Sequence, residues 1–202
     1  MRKEDLEKFY ALTTTYFGNP IAKDLLGDIV IPFYTSPEYI NIMRQFILLY
    51  QPKTFIEIGT GDYGVTTAIL ALTMQQIGKG RIVTVDIEES EKRHELWDHL
   101  SVRGVIQEVH MSSEDYANIA PAFAQIFIDG NHTVEGFKKD FEAYMTKLNP
   151  GGYMFIHDLS HPGPDSYCNE VKNGSVPFPY YHIPLFKENS VGDYGLWIIY
   201  KP

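Results

Sequence analysis

Cysteine is nearly absent. Of 202 residues only Cys168 is one, so no internal disulfide forms and no second thiol completes a zinc ribbon or a redox pair. Long apolar runs are missing too. None approaches the ~20 residues a membrane helix needs. Met1-Arg-Lys-Glu-Asp opens on mixed charge with no apolar stretch behind it, so no signal peptide is expected. A reducing, cytoplasmic setting is the expectation. Basic charge is scarce as well: the net charge is −9 and no basic run exceeds two residues, as at Lys138-Lys139. Nucleic acid attracts a positive field, and this chain lacks one. A small-molecule partner fits better. Aromatics are abundant at 14% and read first as packing.

The length suits one domain with a sizeable core. Residues 1–35 read as an N-terminal helical extension, with a helix over 4–17 and a plausible dimer element in its apolar stripe. Residues 36–202 read as the main domain. Ser36-Pro37-Glu38 is a helix start, with Ser as N-cap and Pro at the first helical position. Ile40, Met43, Phe46, Ile47 and Tyr50 then recur at helical spacing. From there strands alternate with helices: strands over 55–58, 81–86, 105–110, 125–129 and 153–157, helices over 65–76, 90–101, 115–119 and 133–148. This alternation predicts an α/β fold on a parallel sheet. Asn149-Pro-Gly-Gly reads as a turn, a short helix is placed near 165–172, and strands over 180–186 and 196–200 should pair as an antiparallel hairpin.

The informative segment is F-I-E-I-G-T-G-D-Y-G-V-T-T at Phe55–Thr67, followed by V-T-V-D at Val83–Asp86. A strand enters a glycine-rich turn, a helix follows, and a second strand ends on an acid. This arrangement holds a nucleoside cofactor at the carboxyl edge of a parallel sheet. Gly59, Gly61 and Gly64 satisfy the dinucleotide pattern literally. Glu57 opposes it, because an acid just before the turn faces a pyrophosphate unfavourably and suits a cationic group such as an ammonium. Asp86 can accept from both ribose hydroxyls in either case, at a spacing longer than the ~20 residues usual for NAD.

E-I-G-T-G (Glu57–Gly61), V-D (Val85-Asp86), D-G-N-H-T-V-E-G-F-K-K-D (Asp129–Asp140), L-N-P-G-G (Leu148–Gly152) and H-D (His157-Asp158) together resemble the class I S-adenosylmethionine-dependent methyltransferases. Within them the set is similar to the small-molecule O-methyltransferases of macrolide-sugar and cephalosporin pathways, with catechol-type enzymes as cousins. The resemblance spans roughly residues 36–200. It implies a Rossmann-like three-layer sandwich with a seven-stranded, mostly parallel sheet and a C-terminal antiparallel hairpin. It also implies S-adenosylmethionine as cofactor. Gly59, Thr60 and Gly61 would approach the methionine portion, with Glu57 nearby. Thr66, or its neighbours Val65 or Thr67, would meet the carboxylate at the helix N-terminus. Asp86 would hold the ribose, Ser113 the adenine, and Asp129 would border the cofactor. The turn departs from its relatives in having two residues, Asp62 and Tyr63, between the second and third glycines.

Methyl transfer to oxygen needs an acceptor that loses its proton as it attacks. A general base or a divalent cation helps. Asp129 and Asp158 end adjacent strands, so both carboxylates should share one edge and suit magnesium. His132 lies in the D-G-N-H segment, and the resemblance assigns the base there, with Asp129 beside it. His157 is open between two readings: a third ligand with Asp129 and Asp158, which would favour a softer metal than Mg2+, or a hydrogen-bonded core residue. His161, Pro162 and Asp165 belong to a loop over the same edge. The acceptor is expected to be a small hydroxylated molecule, with no nucleic acid and no membrane. An NAD-linked oxidoreductase and a non-catalytic cofactor-binding subunit are the alternatives, and a homo-oligomer stays open.

Overall fold

The computed structural model describes residues 37–174, 179–183 and 195–202. The N-terminal helix and dimer element expected over 1–35 lie outside the described residues, as does the N-cap Ser36. Six α-helices, one 3-10 helix (Arg103–Val105) and seven strands are described: α1 (Pro37–Tyr50), β1 (Thr54–Ile58), α2 (Val65–Ile77), β2 (Arg81–Asp86), α3 (Glu91–His99), β3 (Ile106–His110), α4 (Ser113–Ile119), β4 (Phe123–Ile128), α5 (Val134–Lys147), β5 (Leu148–Ile156), α6 (Pro162–Lys172), β6 (Tyr180–Ile183) and β7 (Leu196–Tyr200).

The sheet runs β3-β2-β1-β4-β5-β7-β6. The first five strands are mutually parallel, and β7 lies antiparallel between β5 and β6. This is the seven-stranded sheet with a reversed C-terminal hairpin that the motifs imply. Strands buried on both faces should be nearly all apolar, and β4 reads F-A-Q-I-F-I, its one polar residue Gln125 donating to the Phe46 carbonyl. Alternation then sorts the side chains. Phe55, Phe127, Phe155 and Ile198 pack on one face with α1, α2 and α3, where Met43, Phe46, Leu70 and Trp97 are buried. Ile56, Ile126, Met154 and Ile199 pack on the other with Tyr116, Phe137, Phe141 and Tyr144 of α4 and α5. Fully burying one such phenylalanine is worth about 1.5–3 kcal/mol.

Asn149-Pro-Gly-Gly, expected as a turn, lies inside β5. The pairing partners jump from Phe123↔Leu148 to Gln125↔Tyr153. Local turn chemistry survives there as an irregularity within a strand that pairs on either side of it. The helix expected near 165–172 starts earlier, at Pro162, where proline fits the first turn.

The strand order reverses direction between β1 and β4. Ligands in open parallel sheets bind outside the carboxyl ends at such a point. The register puts Ile58 level with Val85 and Ile128, and Ile128 level with Ile156. Gly59, Asp86, Asp129 and His157 therefore leave the sheet along one edge.

Candidate active site at the carboxyl edge

Gly59 sits at φ +91°, and a Cβ there would lie 2.2 Å from the carbonyl oxygen of Asp129. Only glycine lets β1 turn under the β4 backbone at this distance. The two residues that follow are tied to β2. The Thr60 and Gly61 amides donate to Asp86 Oδ2 at 2.9 and 3.0 Å, and the Glu88 amide donates to Asp86 Oδ1 at 3.0 Å. The carboxylate thus joins the glycine turn to the loop after β2. Oδ2 has both acceptor positions filled by the turn amides, and Oδ1 keeps one further acceptor position.

Two cavities flank Gly59. The first, about 590 Å3, is lined by Asp86, Ile87, Met111, Ser113 and Asn131. Ile87 is 73% exposed there, an apolar surface beside the acid that ends β2. Ser113 donates its hydroxyl to buried Asp140, and the Tyr144 hydroxyl donates to the Ser113 carbonyl at 2.9 Å. Burial pushes the Asp140 pKa up, against the lowering from Ser113 and from the Asn131 backbone. With its hydrogen on Asp140, the Ser113 oxygen keeps both lone pairs as acceptors.

The second cavity, about 230 Å3, is lined by Ile40, Tyr63, Val65, Thr66, His132 and Asp158, with Glu57 at its wall. Glu57 shares its face of β1 with Phe55 and lies level with Thr84 on β2. Its Oε2 accepts from the hydroxyls of Thr67 and Thr84. Burial raises its pKa to about 8, against the two hydroxyl bonds, and the charges of Asp129 and Asp86 add to the rise. Burial thus favours the neutral form of the side chain expected as a carboxylate, and a cationic group beside it would favour the ionised form.

Past the second cavity stand the acids and histidines. Asp158, in the left-handed region at φ +55°, turns the chain sharply at the end of β5, a conformation aspartate tolerates better than most residues. His157 Nδ1 lies 3.2 Å from Asp129 Oδ1 and 3.1 Å from Asp158 Oδ1. His132 Nε2 lies 3.5 and 3.6 Å from the same two carboxylates. Burial alone would lower the His157 pKa. The hydrogen bonds and charges of Asp129 and Asp158 outweigh it and raise the value to about 9. Asp129 is held down at about 2: burial would raise it, and the bonds and charges of His132 and His157 prevail. Asp129 also raises the pKa of His132.

The structure thus brings Asp129, His132, His157 and Asp158 together. Glu57, Gly59, Thr60, Gly61, Thr66, Asp86 and Ser113 line the two cavities beside them. His161 joins the group as well. Its ring stacks on His132 with centroids 4.6 Å apart, and its Nε2 lies 3.7 Å from Asp158. Among the described residues two donor sets have metal-ligand spacing: Asp129, His157 and Asp158, and separately His132, Asp158 and His161, each with atoms within 4.8 Å of one another. Both mix imidazole with carboxylate, a chemistry that suits manganese, iron or zinc better than magnesium. The threonines around Glu57 and the stacking of His161 had no signal in the sequence, since both need the register and the loop path.

A reversed strand order, a glycine turn under β4, an acid ending β2 and paired carboxylates beyond define the class: Rossmann-like methyltransferases that use S-adenosylmethionine. The methyltransferase domain family matches residues 56–159, just over half of the chain, and the chain belongs to it. Solved structures agree on the fold. The O-methyltransferase TomG from Streptomyces achromogenes, involved in tomaymycin synthesis and solved with S-adenosylmethionine, has a TM-score of 0.69 at 19% identity. The match covers 100% of this chain and 91% of that one. An O-methyltransferase from Bacillus cereus with S-adenosylhomocysteine has a TM-score of 0.66 at 16% identity, covering 100% and 92%. The S-adenosylhomocysteine-bound methyltransferase PaMTH1 from Podospora anserina has 0.66 at 15%, covering 98% and 87%. No curated protein sequence matches the chain. No described helix is long and apolar enough to cross a membrane.

Proposed function

We propose that this enzyme transfers the methyl group of S-adenosylmethionine to a hydroxyl oxygen of a small molecule, with His132 as the general base. One observation carries the reading: an imidazole flanked by two carboxylates borders the cavity that opens from Gly59 and Gly61. In the larger cavity Asp86 would hold the ribose and Ile87, Met111 and Ser113 the base, while Gly59 and Thr66 would seat the methionine portion; the bound cofactor would supply an electrophilic methyl. The neighbours solved with S-adenosylmethionine or S-adenosylhomocysteine support that cofactor.

Chemically, Asp129 and Asp158, 3.5 and 3.6 Å from His132 Nε2, raise its proton affinity. The other nitrogen would take the acceptor's proton as its oxygen bonds to the methyl carbon and the carbon–sulfur bond breaks, releasing S-adenosylhomocysteine, and the carboxylates would stabilise the imidazolium formed. His157 bridges the two carboxylates and fixes their separation. Asp129, His157 and Asp158 would hold a divalent ion, which would lower the pKa of the acceptor hydroxyl when bound. A net charge of −9 supports a small-molecule acceptor over a nucleic acid.

The reading is tested with methyl-labelled cofactor and a panel of catechols, phenols and hydroxylated sugars. The expected outcome is label on oxygen with wild type. His132→Ala should slow turnover at least hundredfold and leave S-adenosylhomocysteine affinity nearly unchanged. An equal loss in both would sink the base assignment.

A further inference from the structure

The Gly61–Gly64 turn is gripped from behind by α3. Each of its four residues meets a side chain of that helix. Arg93 Nη1 donates to the Gly61 carbonyl at 3.2 Å. Lys92 Nζ pairs with Asp62 at 2.9 Å and lies 5.0 Å over the ring of Tyr63. Trp97 Nε1 donates to the Gly64 carbonyl at 3.0 Å. The Trp97 indole also fills the space that a Cβ on Gly64 would take, 2.7 Å away. Arg93 and Trp97 are four apart and share one helix face.

Arg93 reaches further than the turn. It is 1% exposed. Its Nη2 donates to the Glu88 carbonyl, its Nε donates to Glu108 at 2.6 Å, and its Nη1 lies 4.0 Å from Asp86. One buried guanidinium therefore spans the glycine turn and the loop after β2, the two walls of the larger cavity. Burying a cation is costly unless every donor is used, and packing alone would be served by an apolar side chain. A planar fork of five donors is suited to fixing several carbonyls at once.

Fixing these carbonyls fixes amides. In a trans peptide the C=O and the following N–H point in opposite directions. The Gly61 carbonyl is held toward α3 by Arg93, and the Gly64 carbonyl is shared between Trp97 and the Ala68 amide of α2, 2.9 Å away, so the Asp62 amide points away from α3 and the Val65 amide takes its direction from α2 and Trp97 together. Val65 opens α2, where free amides and the helix dipole favour an anion.

We infer that α3 is a positioning element of the cofactor site, with Arg93 and Trp97 presetting the turn amides for the carboxylate of the cofactor's amino-acid end. Lys92 closes the grip from outside through Asp62 and Tyr63. The inference rests on the reading that this turn seats S-adenosylmethionine.

The test is calorimetric titration of the full chain with S-adenosylhomocysteine and with 5′-methylthioadenosine, which lacks the amino-acid end. Wild type, Trp97→Phe, Arg93→Lys and Lys92→Ala are compared, each checked for folding by thermal unfolding. Lys92 and Asp62 are half exposed, so Lys92→Ala keeps the core intact. Trp97→Phe and Arg93→Lys should weaken S-adenosylhomocysteine at least tenfold, and Lys92→Ala by two- to threefold. For Trp97→Phe the loss toward methylthioadenosine should be under threefold. Unchanged S-adenosylhomocysteine affinity in the folded variants, or equal losses for both ligands in Trp97→Phe, overturns the inference. Failure of wild type to bind S-adenosylhomocysteine would instead overturn the cofactor reading, and the inference with it.

Discussion

Replacing Glu57 by glutamine should make the protein's stability less sensitive to pH. Glu57 has a folded pKa of about 8 against an ordinary value of 4.5, because burial opposes its ionisation more than the Thr67 and Thr84 hydroxyls favour it. For an acid raised on folding, the neutral form's stability is fully present below pH 4.5 and is lost as pH rises toward 8. At 1.36 kcal/mol per pKa unit, a rise from 4.5 to about 8 is worth on the order of 5 kcal/mol at most. Glutamine has nearly the shape of the protonated acid and does not titrate. Urea unfolding of both proteins at pH 5, 6.5 and 8 measures the effect. His157, also raised, to about 9, loses stability over an overlapping range, but it does so in both proteins, so their difference isolates Glu57. The variant's advantage should grow by several kcal/mol between pH 5 and pH 8. A difference that stays constant across this range would refute the reasoning, since Glu57 would then be ionised in the folded chain.

Gly59→Ala should lose at least hundredfold in S-adenosylhomocysteine affinity, about 2.7 kcal/mol, because its Cβ would lie 2.2 Å from the Asp129 carbonyl oxygen; calorimetry measures this directly. If imidazole takes part in metal binding, Zn2+ and Mn2+ should raise the melting temperature more than Mg2+ does, and His157→Ala should remove most of that rise. The metal effect should also strengthen as pH rises toward 9, because the ion competes with the proton on His157. Equal responses to all three ions in wild type and variant would remove His157 from the ligand set.

Much of the fold was legible because its central strands are largely apolar and buried and its helices are punctuated. β2 and β7 match the expected bounds, and the glycine turn announced its place at the sheet edge. The acids and histidines of the site were legible because each follows a strand: Asp129 after β4, His157 and Asp158 after β5. What stayed hidden depends on register and loop path. Glu57 reads as a charge in sequence, and only its alignment with Thr84 and its cover by Thr67 of α2 show a buried acid. Arg93 lies in a helix with six other ionisable residues, where charge reads as a solvated face, yet it is the one turned inward. His161 meets His132 because the chain folds back at Asp158 in a left-handed conformation that no spacing rule reveals. Asn149–Gly152 has strong turn chemistry, and pairing of β5 with β4 on both sides absorbed it.

The central claim is a divided site: cofactor on Asp86 and the glycine turn, proton transfer on His132. Calorimetric titration of wild type, Asp86→Ala and His132→Ala with S-adenosylhomocysteine tests it most directly. The account predicts one ligand bound per chain by wild type, at least a tenfold weaker Kd for Asp86→Ala, and a Kd within threefold of wild type for His132→Ala. Binding unchanged by the loss of Asp86, or lost equally with His132, would contradict it.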